Sequence, residues 1–153
     1  MTKVLSFDPG GTTGYCYQDE KKAYVISDIK NGKTGVKEFI KNWDFSKLPV
    51  DVIVIEGYKT LRQKVAANTG RQMTESEIIG ILEAWALMND IKSVIYLPEK
   101  KPAQCRMTQV FPKRMKKDIE HRFDAYNHGR YYLIMECGAP SALEIQMKES
   151  GEI

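Results

Sequence analysis

Acidic residues that follow apolar segments carry the chemistry this sequence predicts. Asp8 ends VLSFD and precedes Pro-Gly-Gly, and Glu56 ends VDVIVIE. A third segment, HRFDAYNH, sets His121, Asp124 and His128 at i, i+3 and i+7, which places all three on one face of a helix. Carboxylate oxygens with imidazole are ligands typical of a divalent-cation site. The pattern predicts a metal-dependent phosphodiesterase.

The elements that must position these residues follow from hydrophobic periodicity and turn signals. The helix at 74–89 begins at the capping box Thr74–Glu77 and has a predicted core stripe. That stripe comprises Ile78, Ile81, Leu82, Trp85 and Met88. Strands are predicted at 3–8, 14–18, 23–29, 50–55 and 93–97, and helices at 33–43, 74–89, 103–110 and 117–136.

Three strands followed by alternating helices and strands predict an α/β fold of ribonuclease H-like architecture. Its five-stranded mixed sheet has the order 3-2-1-4-5, with helices on both faces. Strands 1 and 4 are then neighbours, so Asp8 and Glu56 meet at one end of the sheet. The last helix packs over that end. Two cations about 3.5–4 Å apart need several carboxylates, and Asp8 is best placed to bridge them.

Length and composition indicate a soluble globular chain. The 153 residues, 42% hydrophobic and 28% charged, suit one domain, predicted as a nuclease domain at 1–137 with a polar tail at 138–153. No stretch is apolar enough for a membrane span, so no membrane partner is expected. The three cysteines lack metal-ligand spacing and predict free thiols in the cytoplasm, the host cytoplasm if the protein is viral.

Positive charge is concentrated in two segments. Residues 57–72 carry four cations and no acid, and residues 99–117 carry seven cations against one acid. Such segments are typical of a surface that binds a phosphate backbone. The glycine-rich turn after Asp8 leaves room for nucleic acid, and a threonine there could hydrogen-bond phosphate. The predicted nucleic-acid contacts are Gly11, Thr12, Thr13, Tyr58, Lys59, Arg62, Lys64, Arg71, Lys101, Lys113, Arg114, Lys116 and Lys117.

At these motifs the chain resembles the RuvC family of Holliday junction resolvases, especially the small RuvC-like proteins of bacteriophages. The resemblance covers about residues 3–136 and rests on DPGGTTGY, VIVIEGY and HRFDA. It implies Asp8, Glu56, His121 and Asp124 as metal-binding and catalytic residues. It also implies two Mg²⁺ or Mn²⁺ ions per site, a homodimer, and crossover-junction endodeoxyribonuclease activity that leaves 5′-phosphate and 3′-hydroxyl ends.

Several functions stay open on these residues. The aromatic wedge of the cellular enzymes follows the second acid at a distance, whereas Tyr58 lies close to Glu56. The branched DNA could therefore be a four-way junction, a fork or a flap. A ribonuclease acting on structured RNA and a non-catalytic branched nucleic-acid binder are the alternatives. The turn also resembles the phosphate loop of actin-like ATPases, but those proteins enclose a nucleotide between two such domains.

Overall fold

The computed structural model of the chain describes residues 1–32, 35–43, 47–57 and 74–141. The strands within these ranges are β1 (Val4–Asp8), β2 (Thr12–Gln18), β3 (Ala23–Lys30), β4 (Val52–Glu56) and β5 (Lys92–Tyr96). The α-helices are α1 (Lys37–Lys41), α2 (Thr74–Met88), α3 (Lys101–Thr108) and α4 (Lys117–Cys137). Short 3₁₀ turns at Pro98–Lys100 and Pro112–Arg114 precede α3 and α4.

The strands form one mixed sheet in the order β3-β2-β1-β4-β5, which confirms the predicted order. β1 pairs with β2 and β2 with β3 in the antiparallel sense, whereas β4 runs parallel to β1 and to β5. Phe7 lies opposite Ile55 in the parallel register. The next residue of each strand is acidic, so Asp8 and Glu56 leave the sheet at the same edge.

Apolar side chains on the two faces of the sheet form separate cores. Every residue of β1 and β4 is buried, as a central strand between helices requires. One core joins the sheet to α1 and α2 through Leu5, Phe7, Ile53, Ile55, Phe39, Ile78 and Leu82. The other joins it to α4 through Val4, Val54, Tyr132 and Leu133. Since a fully buried Leu, Ile or Phe contributes about 1.5–3 kcal/mol, this burial fixes α4 against the strands that carry the acids.

The predicted helices and strands are present, with shifted ends. The helix predicted at 33–43 spans only Lys37–Lys41, because Gly35 before it adopts a left-handed conformation with φ of 61°, while residues 33 and 34 lie outside the described residues. α3 begins two residues before its predicted start and ends at Thr108, where Gln109 is left-handed with φ of 59°. α4 ends at Gly138, which has φ of 67° and closes the helix as predicted.

The prediction that Met88 of α2 belongs to the core is wrong. Met88 is 82% exposed, because it is the last residue of the helix, beyond the stretch that packs against the sheet. The buried side chains of α2 are Ile78, Leu82 and Ala86, with Ile81 and Trp85 packed partly buried against the same core.

The predicted tail at 138–153 is described only up to residue 141, and Ala139 there is buried against the α4 core. The three cysteines are free thiols, as predicted. None of the helices within the described ranges is both long enough and apolar enough to cross a membrane.

Candidate metal centre at the edge of the sheet

Two buried carboxylates mark the edge where β1 and β4 end. Asp8 and Glu56 are only 5% and 8% exposed, at the ends of strands whose other residues are apolar or, in Ser6, hydrogen-bonded. The Ser6 hydroxyl donates to the Ala125 carbonyl of α4 over 2.6 Å. The strand that ends in Asp8 is therefore bonded directly to the helix that carries the third acidic motif.

Glycines allow α4 to lie unusually close to the sheet. A Cβ at Gly14 of β2 would lie 2.0 Å from the His121 carbonyl oxygen, and one at Gly129 of α4 would lie 2.6 Å from Ser6 Oγ. The first of these contacts is with backbone, which cannot move aside as a flexible side chain can. Gly14 thus sets the depth at which α4 presents its ligands, a role that the sequence reading did not assign.

His121 and Asp124 meet Asp8 at this edge. One ligand atom from each of the three residues lies within 4.8 Å of the other two. The closest approach is between His121 Nδ1 and Asp8 Oδ2, which are 2.8 Å apart and hydrogen-bonded. The i, i+3 spacing on α4 and the parallel register of β1 and β4 therefore gather residues that are over a hundred positions apart in the chain.

Glu56 lies beside this cluster, and its two carboxylate oxygens face a lysine and a histidine of the chain. Its Oε1 forms an ion pair with Lys101 Nζ at 2.8 Å, and its Oε2 faces His128 Nε2 at 3.8 Å. The same Lys101 ammonium lies 3.4 Å from Asp124 Oδ2. Lys101 therefore bridges two of the predicted site carboxylates, rather than lying free for nucleic acid as the sequence predicted.

His128 is fully buried on the same face of α4, one turn beyond Asp124. Neither ring nitrogen has a hydrogen-bond partner among the described residues, and the nearest acid is Glu56. The sequence left open whether His128 orients a ligand or is structural. Its position behind Glu56 suits a side chain that orients that carboxylate.

The pKa values of the cluster reflect an excess of acidic groups over the positive charge that is available to them. Burial raises the pKa of Asp8 well above its usual range, and the Glu56 carboxylate adds to the rise while His121 opposes it. Burial also raises the pKa of Asp124 against the opposing charge of Lys101. Burial acts to raise the pKa of Glu56 too, but the adjacent His128 and Lys101 outweigh it and hold that pKa below its usual range.

The basic groups respond in the complementary direction. The hydrogen bond to Asp8 raises the pKa of His121 despite partial burial. Burial acts to lower the pKa of Lys101, but the Glu56 and Asp124 charges raise it above its ordinary value. A bound divalent cation would relieve the repulsion among the acids, and oxygen ligands with one imidazole are a donor set that Mg²⁺ or Mn²⁺ accepts. The residues present therefore fit such an ion.

In the glycine-rich turn after Asp8, the prediction of Thr13 as a phosphate contact is wrong. Thr13 is fully buried, and its hydroxyl donates to the Gly10 carbonyl at 3.1 Å and accepts from the Asn31 amide at 2.8 Å. That hydroxyl holds the turn to the end of β3 and cannot reach a phosphate. Gly11 is exposed and Thr12 half-buried, so both remain available at the surface.

The cationic side chains after α3 lie at the surface, as a nucleic-acid contact requires. Lys113, Arg114, Lys116 and Lys117 are all exposed, and Arg114 stacks over the Phe111 ring at 4.3 Å. Lys117 begins α4, one turn before His121, so these two residues lie on the same face of the helix. The other predicted contacts lie outside the described residues: Tyr58, Lys59, Arg62, Lys64 and Arg71.

Solved structures match this architecture. T. thermophilus RuvC in complex with a Holliday junction substrate matches with a TM-score of 0.64 and 10% identity, over 92% of this chain and 98% of that chain. The fowlpox virus Holliday junction resolvase matches with a TM-score of 0.48 and 16% identity, over 86% and 97%. No family model and no curated protein matches the sequence. The fold is ribonuclease H-like, as the element order predicted.

Proposed function

We propose that the chain is a metal-dependent endodeoxyribonuclease that hydrolyses phosphodiester bonds in branched DNA, with the Holliday junction as its principal substrate. The observation that carries the proposal is the cluster of Asp8, His121 and Asp124, whose ligand atoms lie within 4.8 Å of one another at the edge of a ribonuclease H-like sheet. Burying acids whose pKa values are raised lowers the stability of the fold. A cation-binding role accounts for their presence at this position.

In this proposal the chain's own residues divide the work at the cluster. Asp8 would help to hold both metal ions, because it contacts His121 on one side and Glu56 on the other. His121 and Asp124 bind on the α4 side, and Glu56 binds on the β4 side. When bound, Mg²⁺ or Mn²⁺, two ions per site, supplies an activated water and stabilises the leaving oxygen. His128, whose Nε2 lies 3.8 Å from Glu56 Oε2, would orient that carboxylate from the buried side.

Binding of the phosphate backbone is assigned to the exposed cations before and at the start of α4. The side chains of Lys113, Arg114, Lys116 and Lys117 project from a 3₁₀ turn and a helix start that lead directly to His121. Such charges bind phosphates without reading sequence and release counterions, which makes the affinity salt-dependent. Exposed Gly11 and Thr12 offer backbone and hydroxyl groups close to Asp8.

Two considerations support the proposed selectivity for a junction, the architecture and the symmetry of the substrate. The structure of T. thermophilus RuvC, which is described as bound to a Holliday junction substrate, spans almost the whole of this chain. A four-way junction has near two-fold symmetry, so paired cuts need two sites related by a two-fold axis. We therefore propose a homodimer, and the small bacteriophage type within the RuvC family.

The test is a cleavage assay on a panel of labelled substrates with Mg²⁺, Mn²⁺ or EDTA. The panel contains a four-way junction, a fork, a flap, a linear duplex and an RNA hairpin. We expect cleavage of the junction with either ion, none in EDTA, and at least about a hundredfold loss in Asp8→Asn, since even the partners of metal ligands typically contribute 10- to 100-fold. Asp19→Asn is the matched control, because Asp19 is a buried acid at the opposite edge of the sheet.

Each alternative has its own outcome in this assay. Cleavage of the RNA hairpin alone would replace the DNA substrate with structured RNA. Metal-independent binding of branched DNA without cleavage would indicate a non-catalytic binder. Full cleavage by Asp8→Asn would remove the carboxylate cluster from the chemistry and overturn the proposal.

A further inference from the structure

Lys101 occupies the space between two carboxylates where a cation would bind. Its ammonium lies 2.8 Å from Glu56 Oε1 and 3.4 Å from Asp124 Oδ2. The side chains of both acids are 9% exposed, and the side chain of Lys101 is 28% exposed. The ammonium is close enough to Glu56 for a charge-assisted hydrogen bond, and its contact with Asp124 is longer.

The consequence is that the edge of the sheet contains two unequal cation positions. The first, made by Asp8, His121 and Asp124, has its ligand atoms gathered within 4.8 Å. The second lies between Glu56 and Asp124, on the side of Asp8 that faces Glu56, and it already holds a positive charge that belongs to the chain. Glu56 has no oxygen turned away from an internal group, because its other oxygen faces His128.

We propose that Lys101 is a built-in occupant of the second cation position, which opens to a divalent ion only when a DNA phosphate draws the ammonium away. The inference rests on the proposed function and adds an order to it. The free protein binds one ion at the Asp8 side, and substrate binding then admits the second ion at the Glu56 side.

Charge and geometry both support this order. Three carboxylates cannot balance two divalent ions together with an ammonium, so like-charge repulsion excludes the second ion while Lys101 stays in place. A phosphodiester adds one negative charge and gives the ammonium a new partner, since lysine binds phosphate as a mobile point charge. Lys101 begins α3 directly after a 3₁₀ turn, and its partly exposed stem can swing without disturbing the core.

Such an arrangement makes full assembly of the site depend on substrate. A nuclease with both ions permanently bound would present an activated water to any backbone that approached. With Lys101 in place, the Glu56 side lacks its ion until a phosphate enters. The device thus limits cleavage to DNA that has seated its backbone beside Lys101.

The test counts Mn²⁺ ions by calorimetry and by the electron paramagnetic resonance of free Mn²⁺. We expect about one ion per chain in the free wild-type protein and about two in Lys101→Met, which keeps the stem but removes the charge. Lys100→Met, at the exposed neighbouring position, is the matched control and should bind one ion. Lys101→Arg retains a cation and should also bind one.

A second measurement uses the wild-type protein alone, so the test does not depend on how Lys101→Met folds. A four-way junction with non-hydrolysable linkages, added in excess, should raise the wild-type stoichiometry from one ion to two. An unchanged stoichiometry both in Lys101→Met and with DNA would overturn the role of Lys101, even if junction cleavage is normal. Absence of Mn²⁺ binding and of cleavage in every protein would instead overturn the proposed function, and this inference with it.

Discussion

Buried acids lie at both edges of the sheet, and they differ in how many hydrogen-bond donors the chain supplies to each carboxylate. At the edge opposite the candidate site, Asp19 follows β2 and is fully buried. Its Oδ2 accepts from Lys3 Nζ at 2.8 Å and from the Tyr24 hydroxyl at 2.6 Å. Its Oδ1 accepts from the backbone N–H groups of Lys21 at 2.9 Å and Lys22 at 3.1 Å. Four donors serve one carboxylate.

The carboxylates of the candidate site share far fewer donors. Asp8, Glu56 and Asp124 have one lysine and two histidines among them, and acids face one another. Burial acts to raise the pKa of Asp19, but its four hydrogen bonds outweigh it and lower that pKa, whereas the pKa of Asp8 is raised. The buried acid at the opposite edge is thus satisfied by donors of the chain itself. The acids of the candidate site are left short of positive charge.

The largest expected contrast between the two edges is their response to a divalent ion. Mn²⁺ at about a hundred times its Kd should raise the free energy of unfolding by about 2.7 kcal/mol, because the ion binds only the folded cluster. Asp8→Asn should lose most of this gain, and Asp19→Asn should keep it. Urea denaturation with Mn²⁺ or EDTA measures the difference. Equal gains in the two variants would place the ion elsewhere.

The next contrast concerns intrinsic stability. Asp19→Ala leaves an ammonium, a hydroxyl and two backbone N–H groups without their acceptor, so the free energy of unfolding should fall by about 1–3 kcal/mol. The cleavage rate per folded molecule should not change. Glu83→Ala, at an exposed position within α2, is the control and should stay within about 0.5 kcal/mol of wild type. A loss of cleavage without a loss of stability in Asp19→Ala would contradict the structural role of this edge.

The smallest contrast is in the pH dependence of the metal-free protein. The lowered pKa of Asp19 means that its contribution to stability is lost as pH falls below the ordinary aspartate value of about 3.9. The raised pKa of Asp8 means that the folded state retains a proton longer, so stability falls as pH rises from the same value. Neither slope can exceed about 1.4 kcal/mol per pH unit.

These slopes are measured by urea denaturation in EDTA across the acid and neutral range. Asp19→Asn should reduce the loss on the acid side, where the lowered pKa of Glu56 also contributes. Asp8→Asn should reduce the decline as pH rises, where the raised pKa of Asp124 also contributes. Slopes of the same sign at the two edges would remove the electrostatic distinction between them.

The sequence predicted the edge of the sheet at which the site lies, because strands 1 and 4 have simple hydrophobic patterns. An apolar run that ends in an acid, repeated in two neighbouring parallel strands, specifies where both acids emerge. Helical periodicity likewise placed His121, Asp124 and His128 on one face of α4. Both predictions rest on local rules, the alternation of the strand and the turn of the helix, and the structure gathers these side chains as expected.

Other features of the site depend on details that local rules do not carry. Lys101 belongs to a run of cations, and nothing in its spacing distinguishes it from Lys100, yet one reaches the carboxylates and the other is exposed. Thr12 and Thr13 are neighbours in β2, so their side chains point to opposite faces of the sheet. The Thr13 hydroxyl points inward and bonds to Gly10 and Asn31. The signal for Gly14 was available, since a glycine within a buried strand often marks a close backbone approach.

That close approach has a consequence for how the protein can change. Because Gly14 presses against the His121 carbonyl, even a methyl group at position 14 would lever the histidine away from Asp8. A saturation library should therefore be depleted of every replacement at position 14 as thoroughly as at the acids themselves. A residue outside the carboxylate cluster would then constrain the evolution of the protein as tightly as the residues that form the cluster.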